Sequence, residues 1–395
     1  MFQIDDTKAS KKNAERDATW KCAACDKGPL DLKMLQSGLK RCTACYSVRY
    51  CGVACQSSHR KSHKKECKEN ANKRRDFNAV LFEVEMNEDV NPPPPPLDCD
   101  LCMYRMPPNA KQSKYFGCCG KLVCKACFAR SLPGNPLFDM YKKGQTRAES
   151  FNSFLATFGP NGTFSAERRD EQRGCPFCRS TDDMTCFTKE HFKIRERCLV
   201  SRANKGDSRA VLELAWLHQQ GHSAAALDKL EEGDKVIMGG NVIGWKQSPD
   251  GDAKALEYFK QAADLGNGDA YYELSKLHRE DYNAADFYAC LVKAADLGST
   301  DARDELASLA MEKKQFKLAM AHYKLLAAAG YSKDSTEKLT AGYKEGYVTK
   351  DELASSLRAY QLAREELCSR ERTQLSLFYA GLSSDGSLKP SEQFM

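Results

Sequence analysis

From about Phe187 onward the apolar positions recur at helical spacing. Phe187, His191, Ile194 and Cys198 fall at i, i+4, i+7 and i+11, one stripe of a helix on which His191 reads as a packed or edge histidine. The pattern then repeats. Leu214-Ala-Trp-Leu217-His218 parallels Leu274-Ser-Lys-Leu277-His278 and Leu306-Ala-Ser-Leu309-Ala310. Ala262-Ala-Asp-Leu-Gly266 parallels Ala294-Ala-Asp-Leu-Gly298, and Leu326-Ala-Ala-Ala-Gly330 is a third copy. Gly266, Gly298 and Gly330 recur at a constant interval of about 32 residues, within the range of helical repeats. A fixed period of this size, with two helical stripes per unit and glycine at the helix end, predicts an α-solenoid. The first unit is stretched: about 30 residues, Gln219 to Asp250, separate its two helices. Asp351 to Leu382 predicts a long terminal helix that caps the stack.

Before Phe187 the chain is organised by cysteines. Cys22-x2-Cys25, Cys42-x2-Cys45, Cys51-x3-Cys55 and His63-x3-Cys67 are four close pairs. Each pair can supply half of a tetrahedral zinc site, because two ligands this close in sequence can face one metal. Eight ligands imply two zincs. His63 and Cys67 at i, i+4 would aim at one point from a helix. His59 lies on the same face, outside this pairing, and reads as a surface histidine.

A second set follows: Cys99-x2-Cys102, Cys118-Cys119, Cys124-x2-Cys127 and Cys175-Pro-Phe-Cys178. Two readings stand for its middle. In one, Cys118 and Cys119 both bind, so that each site closes at four ligands. In the other, one ligand is lost, because Cys119-Gly-Lys121 offers only a lysine in the next position. We adopt the first. The segment between Cys127 and Cys175 contains Phe138, Tyr141, Phe151, Phe154, Phe158 and Phe164, which predicts some packed structure. Cys186, Cys198, Cys290 and Cys368 have no partner in spacing and read as plain thiols.

Composition sets the compartment. The chain has 395 residues, 42% hydrophobic, enough for several domains. Its start is polar, without the apolar stretch of a secretory leader, and there is no run long enough to span a membrane. The 19 cysteines therefore belong in a reducing setting, cytoplasmic or nuclear, where short pair spacing means metal rather than disulfide. Residues 1–78 carry 18 Lys and Arg against 9 Asp and Glu, and the net charge of the whole is +6, so the remainder is slightly acidic. The basic cluster reads as a solvated helix face, the alternative being a surface for an acidic partner or nucleic acid. No aromatic residues interleave with it, so nucleic acid is not an expected partner.

The first eight ligands resemble a MYND zinc finger, pair by pair from Cys42 to Cys67, although the spacer from Cys25 to Cys42 is longer than usual for that family. The resemblance implies interleaved sites, Cys22, Cys25, Cys51 and Cys55 on one zinc and Cys42, Cys45, His63 and Cys67 on the other. It also implies protein partners, proline-rich peptides among them. The second set resembles an eight-cysteine RING finger. In that family an apolar residue in the first pair and a proline in the last contact a ubiquitin-conjugating enzyme, and a basic residue after the last cysteine steadies ubiquitin. The matching positions are Leu101, Pro176 and Arg179. The glycine-ended units resemble Sel-one-like repeats, relatives of the tetratricopeptide type.

The expected architecture is multidomain: two small zinc-stabilised fingers followed by an all-α helical-repeat solenoid. A flexible tail occupies 1–20, a MYND-type finger 22–67, a linker 68–98, a RING-like finger 99–180 and the repeats 187–382. The five prolines Pro92 to Pro96 read most simply as a stiff spacer with no core to join, the alternatives being a ligand for a proline-binding groove or, by the MYND resemblance, for the chain's own finger. No segment resembles the methyltransferase domain found with some MYND fingers, and no phosphate-binding glycine loop or Ser/His/Asp set is present. The expected role is a zinc-binding interaction scaffold with no catalytic residues of its own. The alternative is a RING-type ubiquitin ligase whose repeats select the substrate.

Overall fold

A run of Lys, Arg, Glu, Ala and Asn without Gly or Pro favours helix, and Val53–Glu83 forms a single 31-residue helix, α1. It is about 47 Å long at 1.5 Å per residue. The helix continues well past Cys67 through the whole basic segment. Only His63, Phe77 and Leu81 are buried on it, so the expected solvated face is found. Ahead of α1, β1 (Lys40–Arg41) and β2 (Arg49–Tyr50) pair antiparallel. The computed structural model describes residues 22–25, 39–109, 112–131, 175–180, 189–228, 235–238, 241–245, 251–368 and 372. The tail 1–20, the spacer 26–38, the aromatic segment 132–174, Phe187 and Cys186 lie outside the described residues, as does the side chain of His191.

The chain divides into two units, Met1–Val84 with Arg279–Ala285, and Glu85–His278 with Asp286–Met395. The core of the first is small: Cys22, Cys42, Cys45 and Tyr50, with Leu39, Val48 and Ala71 against them. So few apolar side chains cannot hold a fold alone, which leaves the metal to do so.

In the second unit, β3 (Ser113–Phe116) and β4 (Lys121–Cys124) form a hairpin followed by α2 (Lys125–Ser131). Phe116 and Val123 are fully buried among the second set of cysteines. Tyr115, one position earlier, points to the other side of the strand. It packs with Leu199, Leu214 and Leu217, and its hydroxyl donates to Asp207 Oδ2 at 2.5 Å. Asp207 is the N-cap of α4 (Ser208–Gln219), which follows α3 (Lys189–Ala203). The hairpin and the first helices therefore share a core.

The helical part continues with α5 (Ala224–Asp228), a hairpin of β5 (Lys235–Met238) and β6 (Asn241–Trp245), then α6 (Gly251–Asp264) and α7 (Gly268–Glu280). The stretch between α4 and α6 thus carries its own short helix and hairpin. Next come α8 (Ala284–Asp296), α9 (Thr300–Glu312), α10 (Phe316–Ala328), α11 (Lys333–Lys344) and α12 (Lys350–Leu367). The glycine period has a direct structural cause. Gly266, Gly298 and Gly330 all have positive φ and end α6, α8 and α10. Each closes the same pair of bonds, for example Gly298 N to Ala295 O and Ser299 N to Ala294 O. Lys314 ends α9 in the same way without a glycine, at φ 61°. Small alanines at 262, 263, 294, 295, 307 and 310 are buried, which lets helices approach closely.

Two expectations change. The terminal helix stops at Leu367 rather than running to Leu382: Cys368 turns extended, and 373–382 lie outside the described residues. The proline segment also has a surface to join. Asn91 Nδ2 donates to Asp296 Oδ1, and buried Arg303 donates to both Asn91 O (3.0 Å) and Ala295 O (2.6 Å). Asn87 N donates to Tyr288 Oη at 2.8 Å, and Thr300 Oγ1 donates to Pro108 O at 3.0 Å. The segment is a strap fastened to α8 and α9. Sequence reasoning missed this because the fastening donor, Arg303, lies on a distant helix.

Candidate metal centres

Among the described residues, four groups of four ligand atoms form, each with all its atoms within 4.8 Å of one another. They are Cys22, Cys25, Cys51, Cys55; Cys42, Cys45, His63, Cys67; Cys99, Cys102, Cys124, Cys127; and Cys118, Cys119, Cys175, Cys178. All sixteen residues singled out in the sequence fall in these groups. The four MYND-like pairs interleave into two groups, and Cys118 and Cys119 share one group.

The spacing suits zinc. Four sulfurs about 2.3 Å from one zinc stand about 3.8 Å apart along the edges of a tetrahedron. Sulfur separations are 3.7 Å for Cys25–Cys51, 3.7 Å for Cys42–Cys67 and 3.6 Å for Cys119–Cys175. Cys51–Cys55 is 3.3 Å, and Cys45 Sγ lies 3.3 Å from His63 Nε2. None is a disulfide: these cysteines are all free thiols. Soft thiolates and one imidazole, four per group with no carboxylate, form a donor set for zinc rather than calcium or magnesium.

Local backbone explains how three of the five Cys-x2-Cys pairs converge. Tyr46 N donates to Cys42 O, Met103 N to Cys99 O, and Arg179 N to Cys175 O, at 2.8–2.9 Å. Each bond closes a tight knuckle around one pair. The residue after the second cysteine adopts the left-handed region: φ is 61° at Tyr46, 56° at Met103 and 59° at Arg179. Such a conformation costs a non-glycine residue about 1–2 kcal/mol. Three unrelated side chains accept it at the same place, so the ligand geometry imposes it. No glycine marks these turns, which is why the sequence did not disclose them. After Cys119 the equivalent turn does use glycine, Gly120 at φ 75°, whose N–H bonds Phe116 O.

The knuckle amides also act on the sulfurs. Burial raises the thiol of Cys22, but N–H groups of Cys51, Ala24 and Cys25 outweigh it and lower the pKa to about 6. At Cys42 burial is again opposed, by N–H groups of Cys45 and Ala44, and the result is about 7. Their neighbours move the other way. Hydrogen bonding to Cys51 and Cys25 raises Cys55 to about 12, and burial followed by contact with Cys42 and Cys45 raises Cys67 to about 12. Crowded thiols cannot all ionise together unless a cation neutralises them.

Supporting groups orient the ligands. Ser47 Oγ donates to Cys45 Sγ at 3.0 Å and is itself held by Asn70 Nδ2. Glu66 Oε2 lies 3.5 Å from His63 Nδ1, the ring nitrogen facing away from Cys45. His59 is not a free surface histidine. It is half-buried, stacks on His63 with centroids 5.5 Å apart, and meets Tyr50 Oη through Nδ1 at 3.1 Å. It braces the ligand ring. In the second unit, Asp100 accepts from Leu122 N at 2.7 Å and Lys121 Nζ at 3.1 Å.

The group at Cys99 has a further neighbour that the sequence did not mark. Arg372, beyond α12, is 3% exposed. It donates to Arg105 O (2.7 Å) and Leu367 O (2.8 Å), and its other nitrogen lies 3.9 Å from Cys102 Sγ. A single arginine in a polar C-terminal stretch carries no periodic signal.

The three residues expected to contact a conjugating enzyme are at the surface. Leu101 is 39% exposed, and Pro176 and Arg179 are also exposed. Met103 and Tyr104, exposed as well, extend the apolar surface beside Leu101. No helix among the described residues is long and apolar enough to cross a membrane.

Comparison with curated proteins and with solved structures returned no match for the chain. A family model described as MYND finger matches residues 19–67. That match and the eight ligand atoms gathered there make the N-terminal module a MYND zinc finger, a zinc-binding protein-interaction module.

Proposed function

We propose that the chain is an intracellular, zinc-dependent adaptor, working in the cytoplasm or nucleus, in which each of the sixteen ligands holds zinc in the group described above. In this reading residues 22–67 recruit a protein or peptide partner, residues 99–180 form a RING-like finger, and the helices after Lys189 are Sel-one-like repeats that form a second binding surface. Nucleic acid is not a partner. The observation that carries the reading is the use of four complete ligand sets to hold surface modules. The evenly spaced glycine caps at 266, 298 and 330 support the repeat assignment. The test is fluorescence anisotropy of labelled proline-rich peptides against the full-length protein. Saturable binding that disappears on chelation supports the reading, and binding indifferent to zinc contradicts it.

A second reading, ubiquitin ligase, is favoured by the joint exposure of Leu101, Pro176 and Arg179 next to two ligand groups. Such a ligase does no covalent chemistry and works by holding a thioester in a reactive pose. The assay is discharge of loaded conjugating enzymes from a broad panel. Arg179→Ala would slow discharge about a hundredfold, the cost of a misplaced pose. Zinc content would stay unchanged, since alanine fits the left-handed position as well as arginine does. Leu101→Ala would weaken docking, and Cys175→Ser is the control that damages the fold. Failure to discharge any enzyme leaves the adaptor reading alone.

A further inference from the structure

We propose that Pro92–Pro96 is a preformed ligand for a protein domain whose aromatic, proline-binding groove is rimmed by basic side chains. The inference goes beyond the adaptor reading, because it makes the chain the displayed ligand rather than the receptor.

Five consecutive prolines, each with φ locked by its ring, enforce a polyproline-II helix with a threefold repeat. Positions 91 and 94 then share one edge, and both touch the helices while staying exposed. Asn91 is bonded by Asp296 and Arg303. Pro94 lies over Gly298, where an added Cβ would come within 3.2 Å of its Cγ and Cδ. The other two edges carry 92 with 95, and 93 with 96. Pro92, Pro94, Pro95 and Pro96 are exposed and Pro93 is half-buried, so the row of 92 with 95 is open along its length and the row of 93 with 96 is open at Pro96. The open row of Pro92 and Pro95 is an i, i+3 pair of the kind that an aromatic groove receives.

The strap is fixed at both ends. Asn87 and Asn91 hold one side, and Cys99, a ligand-group residue, begins the other. A free proline peptide must lose its end-to-end freedom on binding, and this one has already lost it. The flanks select the partner. Glu85, Glu88, Asp89 and Asp98 are all exposed, and no Lys or Arg lies between 85 and 98. Four like charges beside the prolines repel an acidic rim and draw a basic one.

The test uses the full-length, zinc-loaded protein and two isolated proline-binding domains, one with a Lys/Arg rim and one with an Asp/Glu rim. Tryptophan fluorescence of the groove reports binding. The basic-rimmed domain should bind saturably, more weakly as salt rises. Pro92→Ala with Pro95→Ala should weaken it about tenfold without changing zinc content. Glu88→Lys with Asp89→Lys, on exposed positions outside the proline run, should weaken it by a similar factor if the proline variant misfolds. Arg303→Met should lower affinity severalfold, toward that of a free peptide spanning 85–98. Equal binding to both domains, binding to neither, or indifference to both double substitutions would overturn the proposal.

Discussion

Replacing Arg372 with methionine keeps most of the side-chain volume but removes the guanidinium beside the Cys99 group. Its strong contacts are the bonds to Arg105 O at 2.7 Å and Leu367 O at 2.8 Å. Charge-assisted hydrogen bonds contribute about 1.5–3 kcal/mol each, so the gross loss is about 3–6 kcal/mol. Burying a cation costs part of that, and methionine does not incur the cost. A second effect is electrostatic. Four thiolates on one Zn²⁺ leave a net charge of −2, and the guanidinium nitrogen stands 3.9 Å from Cys102 Sγ. Groups that support metal ligands are worth about 10–100-fold in metal affinity, about 1.4–2.7 kcal/mol. The two routes meet at about 2–3 kcal/mol, confined to one site of four. Transfer of zinc to a chromophoric chelator measures it. One equivalent should leave about thirtyfold faster than in wild type, with the other three unchanged. Arg372→Lys, which keeps the charge but not the planar fork, should fall between. Unchanged release of all four zincs would refute this role for Arg372, as would equal acceleration of all four, which would mean global loosening.

Gly330→Ala should cost about 2–3 kcal/mol, because φ is +68° and the new Cβ would lie 3.0 Å from Leu367 Cδ1. Gly266→Ala, at φ +79° with open space around it, should cost only about 1 kcal/mol, and equal losses on thermal unfolding would contradict the packing described. His322 is buried against α9, and burial, then Arg303, lowers its pKa from 6.5 to about 4. The unfolded chain therefore takes up this proton first as pH falls. Stability from neutral His322 is complete above about 6.5 and is lost progressively down to about 4, up to about 3 kcal/mol. Denaturant titrations across that window should show a shallower slope for His322→Gln than for wild type, while His222, also lowered to about 4 by burial, maintains part of the dependence in both.

The ligand groups were legible because zinc imposes short, regular spacing on residue types that seldom cluster otherwise. The helical period was legible for a related reason: only glycine turns cheaply out of a helix at 266, 298 and 330. What escaped was long-range. Arg303 and Arg372 fasten segments far away in the sequence through backbone carbonyls, and carbonyls leave no trace in side-chain pattern. Tyr115 carries no signal in sequence, yet it belongs to the helical core through Asp207. His59 reads as a surface residue because the partner that covers it, Tyr50, comes from another element, β2. The 31-residue α1 exceeds the expected finger because its charged continuation has good helix propensity but little apolar signal.

Zinc stoichiometry bears most directly on whether the four groups each hold one ion. Elemental analysis of folded, full-length protein, paired with native mass spectrometry, measures it. Four zincs per chain are expected, falling to three in Cys119→Ser while the MYND finger keeps its two. Three or fewer zincs in fully folded wild-type protein would contradict the four-site assignment, and would return the adjacent pair Cys118 and Cys119 to a site that does not close.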